Sequence, residues 1–518
     1  MAANCLADAG WDVLVLEAQA EPGGAVRTGE LTLPGFRHDL FSAFFPLAPS
    51  SPALAPLELE AHGLRWRRTP LVMAHPAGDG SCAVLSMDLE QTAASLDAFA
   101  AGDGDAWKRL YARWEQVGPA LLASLFTPFP PVRAAARLAA ALGPAELVRF
   151  ARFGLLPVRR LADEEFRGAG GGRLLAGNAL HADLSPESAG GGLYGWLLCC
   201  LGQQVGYPVP EGGAGQITAA LVRRLRARGG SLQCSAPVER VLLRGGRAVG
   251  VRIAGGRELM AARAVLADVS APVLYRRLVG EEHLPAALLE DLRRFQYDNS
   301  TVKVDWALDA SIPWSAPEAR RAGTVHVTEG MDALTEHSAD LARGLIPARP
   351  FLVMGQYATA DPTRAPEGKD TAWAYTHVPQ RVRGDAGGSL TGRWDERETA
   401  EFAGRIEHEV ELLAPGFRDR ILGRHVFNPR TMEASNANLV GGAINNGTAQ
   451  LHQQLFFRPT SGFARPETPI DGLYLASASA HPGGGGHGAP GSNAARAALR
   501  ARGPRGRLTA RALRALRG

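Results

Sequence analysis

Apolar residues in this chain come in two textures. Short continuous runs bounded by glycine or proline give way to long alanine- and leucine-rich stretches of helical composition. Ala2 to Ala9 reads as helix and Gly10 ends it. The run WDVLVLE, Trp11 to Glu17, is apolar without alternation, the pattern of a buried parallel strand. Residues 18–27 follow as a loop containing Pro22-Gly23-Gly24. From about Leu89 to Glu165 the pattern predicts long helices broken at Pro128, Pro130-Pro131, Pro144 and Pro157. The glycine run 169–172 reads as a loop, and Gly190 to Gly206 as a buried segment too short and glycine-broken to span a bilayer. A helix over Gln216 to Arg228 precedes alternating strands at Ser231–Cys234, Val238–Arg244 and Ala248–Ile253, divided by glycine-pair turns. Val265 to Asp268 closes that block as a buried strand. Strand Thr301–Leu308 and helix Asp395–Leu413 mark the next block, and Gly472 to Leu499 reads as strand, glycine loop, helix.

The order is a nucleotide-type unit, a helical insertion, a return to strands, a second insertion and a closing strand–loop–helix. A length of 518 residues exceeds what one hydrophobic core usually fills. One domain built from the two ends and the middle, interrupted twice, explains the order.

Composition narrows the class. Hydrophobic residues at 46% and charged residues at 21% describe an ordinary soluble globular protein. The formal net charge of +4 does not point to nucleic acid: the basic residues are almost all arginine, with Lys108, Lys303 and Lys369 the three lysines. Neither a recognition motif nor interleaved aromatics accompany the charge. Five cysteines (Cys5, Cys82, Cys199, Cys200, Cys234) have neither metal-ligand spacing nor a regular framework, so a reducing cytoplasm and no metal are expected. Met1 to Gly10 shows no charged region ahead of an apolar core, as a secretory leader would.

The chemistry begins at Glu17. In a dinucleotide-binding βαβ unit an acid ends the second strand, and its carboxylate accepts hydrogen bonds from ribose hydroxyls. Glu17 stands in that place, although a solvated acid at a strand end looks the same. What favours the first reading is the sequence Pro22-Gly23-Gly24-Ala25-Val26-Arg27: two glycines let backbone approach a ligand closely, and Arg27 could grip a pyrophosphate bidentately. At the far end, a strand delivers Pro482 and the glycines Gly483, Gly484, Gly485 and Gly486, then His487 and a helix starting near Gly488. A helix N-terminus offers free N–H groups and a positive dipole end to an anion.

These segments carry a resemblance. LEAQAEPGGAVRTGELTLPGFRHDLFSAFFP, PEGGAGQI from Pro210, NLVGGAINNGTAQLHQQLFFRP from Asn438, and GLYLASASAHPGGGGHGAPGSNAAR from Gly472 occur in order along nearly the whole chain. Together they resemble the phytoene-dehydrogenase-related FAD-dependent oxidoreductases of the amine-oxidase superfamily, a group that includes the pyridine nucleotide-disulfide oxidoreductase domain 2 type. The resemblance implies an α/β fold with a discontinuous Rossmann-like FAD-binding domain over 1–88, 206–288 and 431–502. It implies an inserted α+β substrate domain over 89–205 and 289–430, leaving 503–518 as a basic tail. The family's first strand and GxGxxG loop would lie upstream of Met1. FAD is the implied cofactor. Glu17, Gly23, Gly24, Ala25, Arg27, Val238, Pro482 to Gly486, His487 and Gly488 are its implied contacts, with Val238 beside the adenine and the C-terminal donors facing the pyrimidine edge and pyrophosphate.

The implied activity is hydride transfer from a C–H of a hydrophobic substrate to flavin, with carotenoid or polyisoprenoid desaturation, isomerisation or ketolation as a narrower form. A non-catalytic lipid-binding protein of the GDP-dissociation-inhibitor kind is the alternative of another class. Lys303, in STVKVDW, is at a place similar to the amine-oxidase lysine that holds a water near the flavin, and is otherwise a solvated strand lysine. His481 and His487 flank the glycine loop; a histidine there suits acid–base work near neutral pH, or structural hydrogen bonding. Residues 119–160 hold Arg133, Arg137, Arg149, Arg152, Arg159 and Arg160. They read either as a peripheral contact with lipid headgroups at the inner membrane surface or as the solvated face of a helix bundle. The expected partner is a hydrophobic small molecule; a homodimer is compatible with the sequence.

Overall fold

A computed structural model of the chain describes residues 1–501 and 503. The basic tail expected at 503–518 falls outside them, apart from Gly503. Strand Leu14–Leu16 pairs in parallel with Ser231–Gln233, and Val265–Ala267 pairs in parallel with Leu473–Leu475. No ladder joins the two pairs among the described residues. Packing joins them instead: Leu6 and Ala7 of helix Ala2–Asp8 share a core with Val13, Leu225, Tyr474, Ala494, Ala495 and Ala498. The two ends and the middle of the chain therefore form one body. An ion pair reinforces it, since the buried Arg224 donates to both Asp8 carboxylate oxygens at 3.0 Å. The meander of Val238–Arg244, Arg247–Ile253 and Glu258–Met260 flanks this unit.

The larger body is a seven-stranded sheet. Its order is Ile421–Phe427, Ser300–Leu308, Asp370–Val378, Leu352–Gln356, Ala322–Val327, Leu71–Pro76, Cys82–Leu85. The pairings are antiparallel except that of Ala322–Val327 with Leu71–Pro76, which is parallel. Helix Glu396–Leu413 covers one face through Phe402, Ala403, Ile406 and Val410. A layer of helices running from Leu89 to Val205 covers the other, packing Trp107, Trp114, Trp196 and Leu174 beneath it. The domain boundary at residue 88 therefore needs correction: Leu71–Pro76, buried at every position, and Cys82–Leu85 belong to this sheet and not to the nucleotide unit.

One local expectation also changes. The glycine run 169–172 is not a loop but the first turn of helix Ala169–Leu180. Cβ atoms added at Gly170 and Gly171 would stand 2.5 Å from the Phe99 and Phe166 rings, so the run is what lets two aromatic side chains press on the helix. The break expected at Pro144 is present: within Val132–Leu155 the preceding Gly143 leaves helical geometry at φ 72°. Among the described residues no helix is long and apolar enough to cross a membrane.

Candidate active site and flavin cleft

Glu17 follows strand Leu14–Leu16 directly. Its backbone N–H donates to Gln233 O and its carbonyl accepts from Ala236 N, both at 2.9 Å, so the neighbouring strand fixes the residue. Carboxylate Oε1 accepts from Gln19 N at 2.8 Å. Val238 lies two residues beyond Ala236 and opens its own strand, which places it at the Glu17 end of the cleft. Asp268 follows strand Val265–Ala267 as Glu17 follows its own. Its side chain is accessible, yet burial raises its carboxyl, the Met1 ammonium lowers it and Glu17 raises it further.

The two glycine segments border the same cleft. Gly23 and Gly24 take φ 130° and 54°, and every residue from Pro22 to Gly29 is partly accessible. A Cβ on Gly23 would meet Val26 O at 2.7 Å. Ala25 O anchors the turn by accepting from Ser42 N at 3.0 Å. On the far side Pro482 and Gly483 are buried, while Gly485 and Gly486 are open to solvent at φ 123° and 71°. The helix Ala489–Arg500 starts three residues on, with the side-chain-free Gly488 as its N-cap. Its Gly491 lies against the N-terminus of helix Ala2–Asp8, where a Cβ would come within 3.2 Å of Ala2 N. Two helix N-termini thus converge on one spot, with their positive dipole ends together. An acid at a strand end, two close-approach glycine turns and a helix N-terminus are parts that a site for a dinucleotide such as FAD uses.

The side chains expected to act on that dinucleotide are engaged otherwise. Arg27 donates through Nε to Gly24 O at 3.0 Å and through Nη2 to Ser435 O at 3.1 Å. It ties the first glycine turn to the end of helix Pro429–Ser435 instead of presenting a free fork, and Nη1 has no hydrogen-bond partner among the described residues. His487 is a correction. Nδ1 accepts from Ala489 N at 3.1 Å, so the proton sits on Nε2, which donates to Gly484 O at 3.0 Å. Burial pulls its pKa down to about 4, as it does that of His481. Both ring nitrogens staple the glycine loop to the helix start, leaving none for proton transfer. Lys303 is a correction to the solvated reading. Its ammonium is buried, 2.5 Å from Asp305 Oδ1 and 3.0 Å from Asp39 O.

Asp39 is the residue that sequence reasoning passed over. Its Oδ1 accepts from Thr28 Oγ1 and Ala214 N at 2.7 Å and pairs with Arg364 at 3.0 Å, while its own N–H donates to the Tyr357 hydroxyl. One carboxylate ties the first glycine turn, the segment after Pro210 and the large sheet together. The signal was present in the stretch GFRHDLF, but nothing local marks an aspartate as a hub.

The family model for flavin containing amine oxidoreductases matches residues 1–307. A rat protein, pyridine nucleotide-disulfide oxidoreductase domain-containing protein 2, is 27% identical over 543 residues, covering 96% of this chain and 91% of its own length. All-trans-zeta-carotene desaturase of Myxococcus xanthus is 30% identical over 291 residues, 53% of this chain and 49% of that one. Among solved structures, putrescine oxidase bound to putrescine superposes with a TM-score of 0.60 at 16% identity, over 96% of this chain and 95% of that one, a likeness of fold. The chain belongs to the flavin-containing amine oxidoreductase family and is an FAD-dependent oxidoreductase.

Proposed function

We propose that the enzyme removes hydride from a C–H bond of a hydrophobic substrate. The observation that carries this reading is the wall beside the accessible glycines. A Cβ at Gly485 would meet Leu47 Cδ1 at 2.7 Å and one at Gly486 would meet Phe45 Cδ1 at 3.0 Å, while Phe126 lies 4.8 Å from the His487 ring. The two histidines of the loop are buried and neutral, so the packing behind the loop is apolar and holds no ionised acid or base. Bound flavin supplies the two-electron acceptor. The protein's share is to hold that acceptor between Glu17 and the helix 489–500, to exclude water with Phe45, Leu47 and Phe126, and to seat an apolar carbon chain. The match to a carotene desaturase over half the chain favours an isoprenoid as the narrower choice.

The same reading assigns substrate entry to the apolar side chains left exposed near helix Val132–Leu155. Val132 is 68% exposed, Leu455 and Phe456 lie open on a neighbouring loop, and the Phe129 and Phe456 rings approach to 5.2 Å. Arg133 and Arg137, one turn into the helix, would favour an anionic lipid surface as the place where substrate is taken up.

The test is anaerobic mixing of the FAD-loaded protein with an acyclic polyene in micelles and, separately, with putrescine. Bleaching of the flavin band by the polyene supports the reading. Bleaching by the diamine alone overturns it.

A further inference from the structure

Arg458 is 1% exposed and has no carboxylate partner. All of its hydrogen bonds go to backbone carbonyls. Nη2 donates to Asn445 O at 2.8 Å, Nη1 to Thr448 O at 2.9 Å, and both reach Gly447 O at 3.2 Å. Nε and Nη2 donate to Ala478 O at 3.0 and 2.8 Å. Asp298 is its mirror image. Fully buried, it accepts from the N–H groups of Ile444 at 2.8 Å, Asn445 at 2.9 Å and Gly447 at 3.3 Å. A buried cation and a buried anion thus face each other through one stretch of peptide, residues 444–448, its carbonyls turned to the guanidinium and its N–H groups to the carboxylate. Burying two ions without direct contact costs several kcal/mol on each side, so the arrangement must secure something a direct pair would not.

What it secures is the second loop. Ala478 lies between strand Leu473–Leu475 and the glycines, and Gly483 sits on the guanidinium itself, where a Cβ would be 3.3 Å from Arg458 Cζ. Ser479 Oγ donates to Asn446 O at 2.8 Å and accepts from Ala271 N at 3.0 Å, a second stitch between the same two loops. Burial lowers the guanidinium to about 10, with Asp298 among the groups opposing that shift. Lysine could not replace it: a point charge cannot reach four carbonyls in one plane.

We propose that Arg458 and Asp298 are positioning residues, a split ion pair that clamps segment 444–448 against the glycine loop 483–486 and so fixes where the flavin sits. The inference rests on the flavin reading of the cleft, so wild-type protein is titrated with FAD first. Failure to bind would sink that reading and the clamp with it.

R458K, R458M, D298N and the double variant R458M/D298N of the full chain are then compared by FAD titration and by the absorption spectrum of flavin bound at saturation. The clamp predicts a Kd raised roughly ten- to hundredfold in R458K, the loss of one or two charge-assisted hydrogen bonds. It also predicts a displaced flavin band at saturation, and a double variant no worse than the weaker single one, because both residues act through one segment. Folded R458K and D298N with the wild-type Kd and band would overturn it, as would simple additivity. If R458M does not fold, R458K and D298N decide; if none of the three single variants folds, the pair serves overall folding and the positioning role is refuted.

Discussion

Lys303 and Asp305 stand two residues apart on strand Ser300–Leu308, so their side chains leave the same face of the sheet and close an ion pair with Nζ 2.5 Å from Oδ1. Neither reaches solvent. Removing one partner leaves the other as an uncompensated buried charge, which costs about 3–5 kcal/mol, whereas replacing both by apolar groups is close to neutral. Lys303→Met is therefore expected to lose about 3–5 kcal/mol in urea unfolding, and Lys303→Met/Asp305→Leu to recover most of it. A Lys303→Met protein of wild-type stability but without activity would return the lysine to a chemical role.

His487 leads to the opposite kind of loss. Its ring bridges Gly484 O and Ala489 N, the two ends of the turn that enters the helix 489–500. His487→Ala frees both, at about 1 kcal/mol for each hydrogen bond. FAD should bind roughly tenfold more weakly, while the pH dependence of flavin reduction at saturating FAD keeps its wild-type shape. Disappearance of an ionisation from that profile would identify His487 as an acid or base after all.

How much of this was legible depends on distance along the chain. Glu17 could be placed because a continuous apolar strand and a glycine turn frame it within ten residues. The end block 472–499 was legible for the same reason. Gly170 and Gly171 misled because what they touch, Phe99 and Phe166, says nothing in the local sequence about helix or loop. The allegiance of Leu71–Pro76 was hidden because its parallel partner, Ala322–Val327, lies some two hundred and fifty residues on. The strand VKVDW alternates as a half-exposed strand does, yet His38 and Asp39 pack against its polar face as well. Arg364 and Arg458 vanish into an arginine-rich background, where only tertiary structure separates a buried guanidinium from dozens of solvated ones.

Acid should unfold the protein through its buried imidazoles. His75 and His337 are fully enclosed and His181 partly so, and burial pulls each from the ordinary 6.5 down to about 3. A depressed folded-state pKa means that the unfolded chain binds the proton first. The stabilisation is present above pH 6.5 and is lost as pH falls from there towards 3. Each histidine contributes a slope of about 1.4 kcal/mol per pH unit across that window. His181 Nε2 lies 2.8 Å from His326 Nε2, so a second proton in that pair is repelled. Urea midpoints at pH 7.5, 6 and 5 should fall with increasing steepness, and less so in His75→Phe. A flat response below pH 6.5 would mean that these rings carry protons in the fold.

The glycine turn of helix Ala169–Leu180 gives a prediction whose sign opposes helix propensity. Alanine is the better helix former by about 1 kcal/mol, so Gly171→Ala in an open helix would stabilise it. Here the added carbon would lie 2.5 Å from Phe166 Cδ2 and 2.5 Å from Cε2. Phe166 is buried against the same core as Trp196 and Leu161, so a shift of its ring disturbs that packing. Overpacking of this kind costs about 1–3 kcal/mol, which outweighs the propensity gain. Gly171→Ala should therefore lower the thermal midpoint, and Gly171→Ala/Phe166→Leu should restore it by vacating the contact. If Gly171→Ala alone raised the midpoint, the run would not be pressed against Phe166 and the first turn of this helix would be loosely packed.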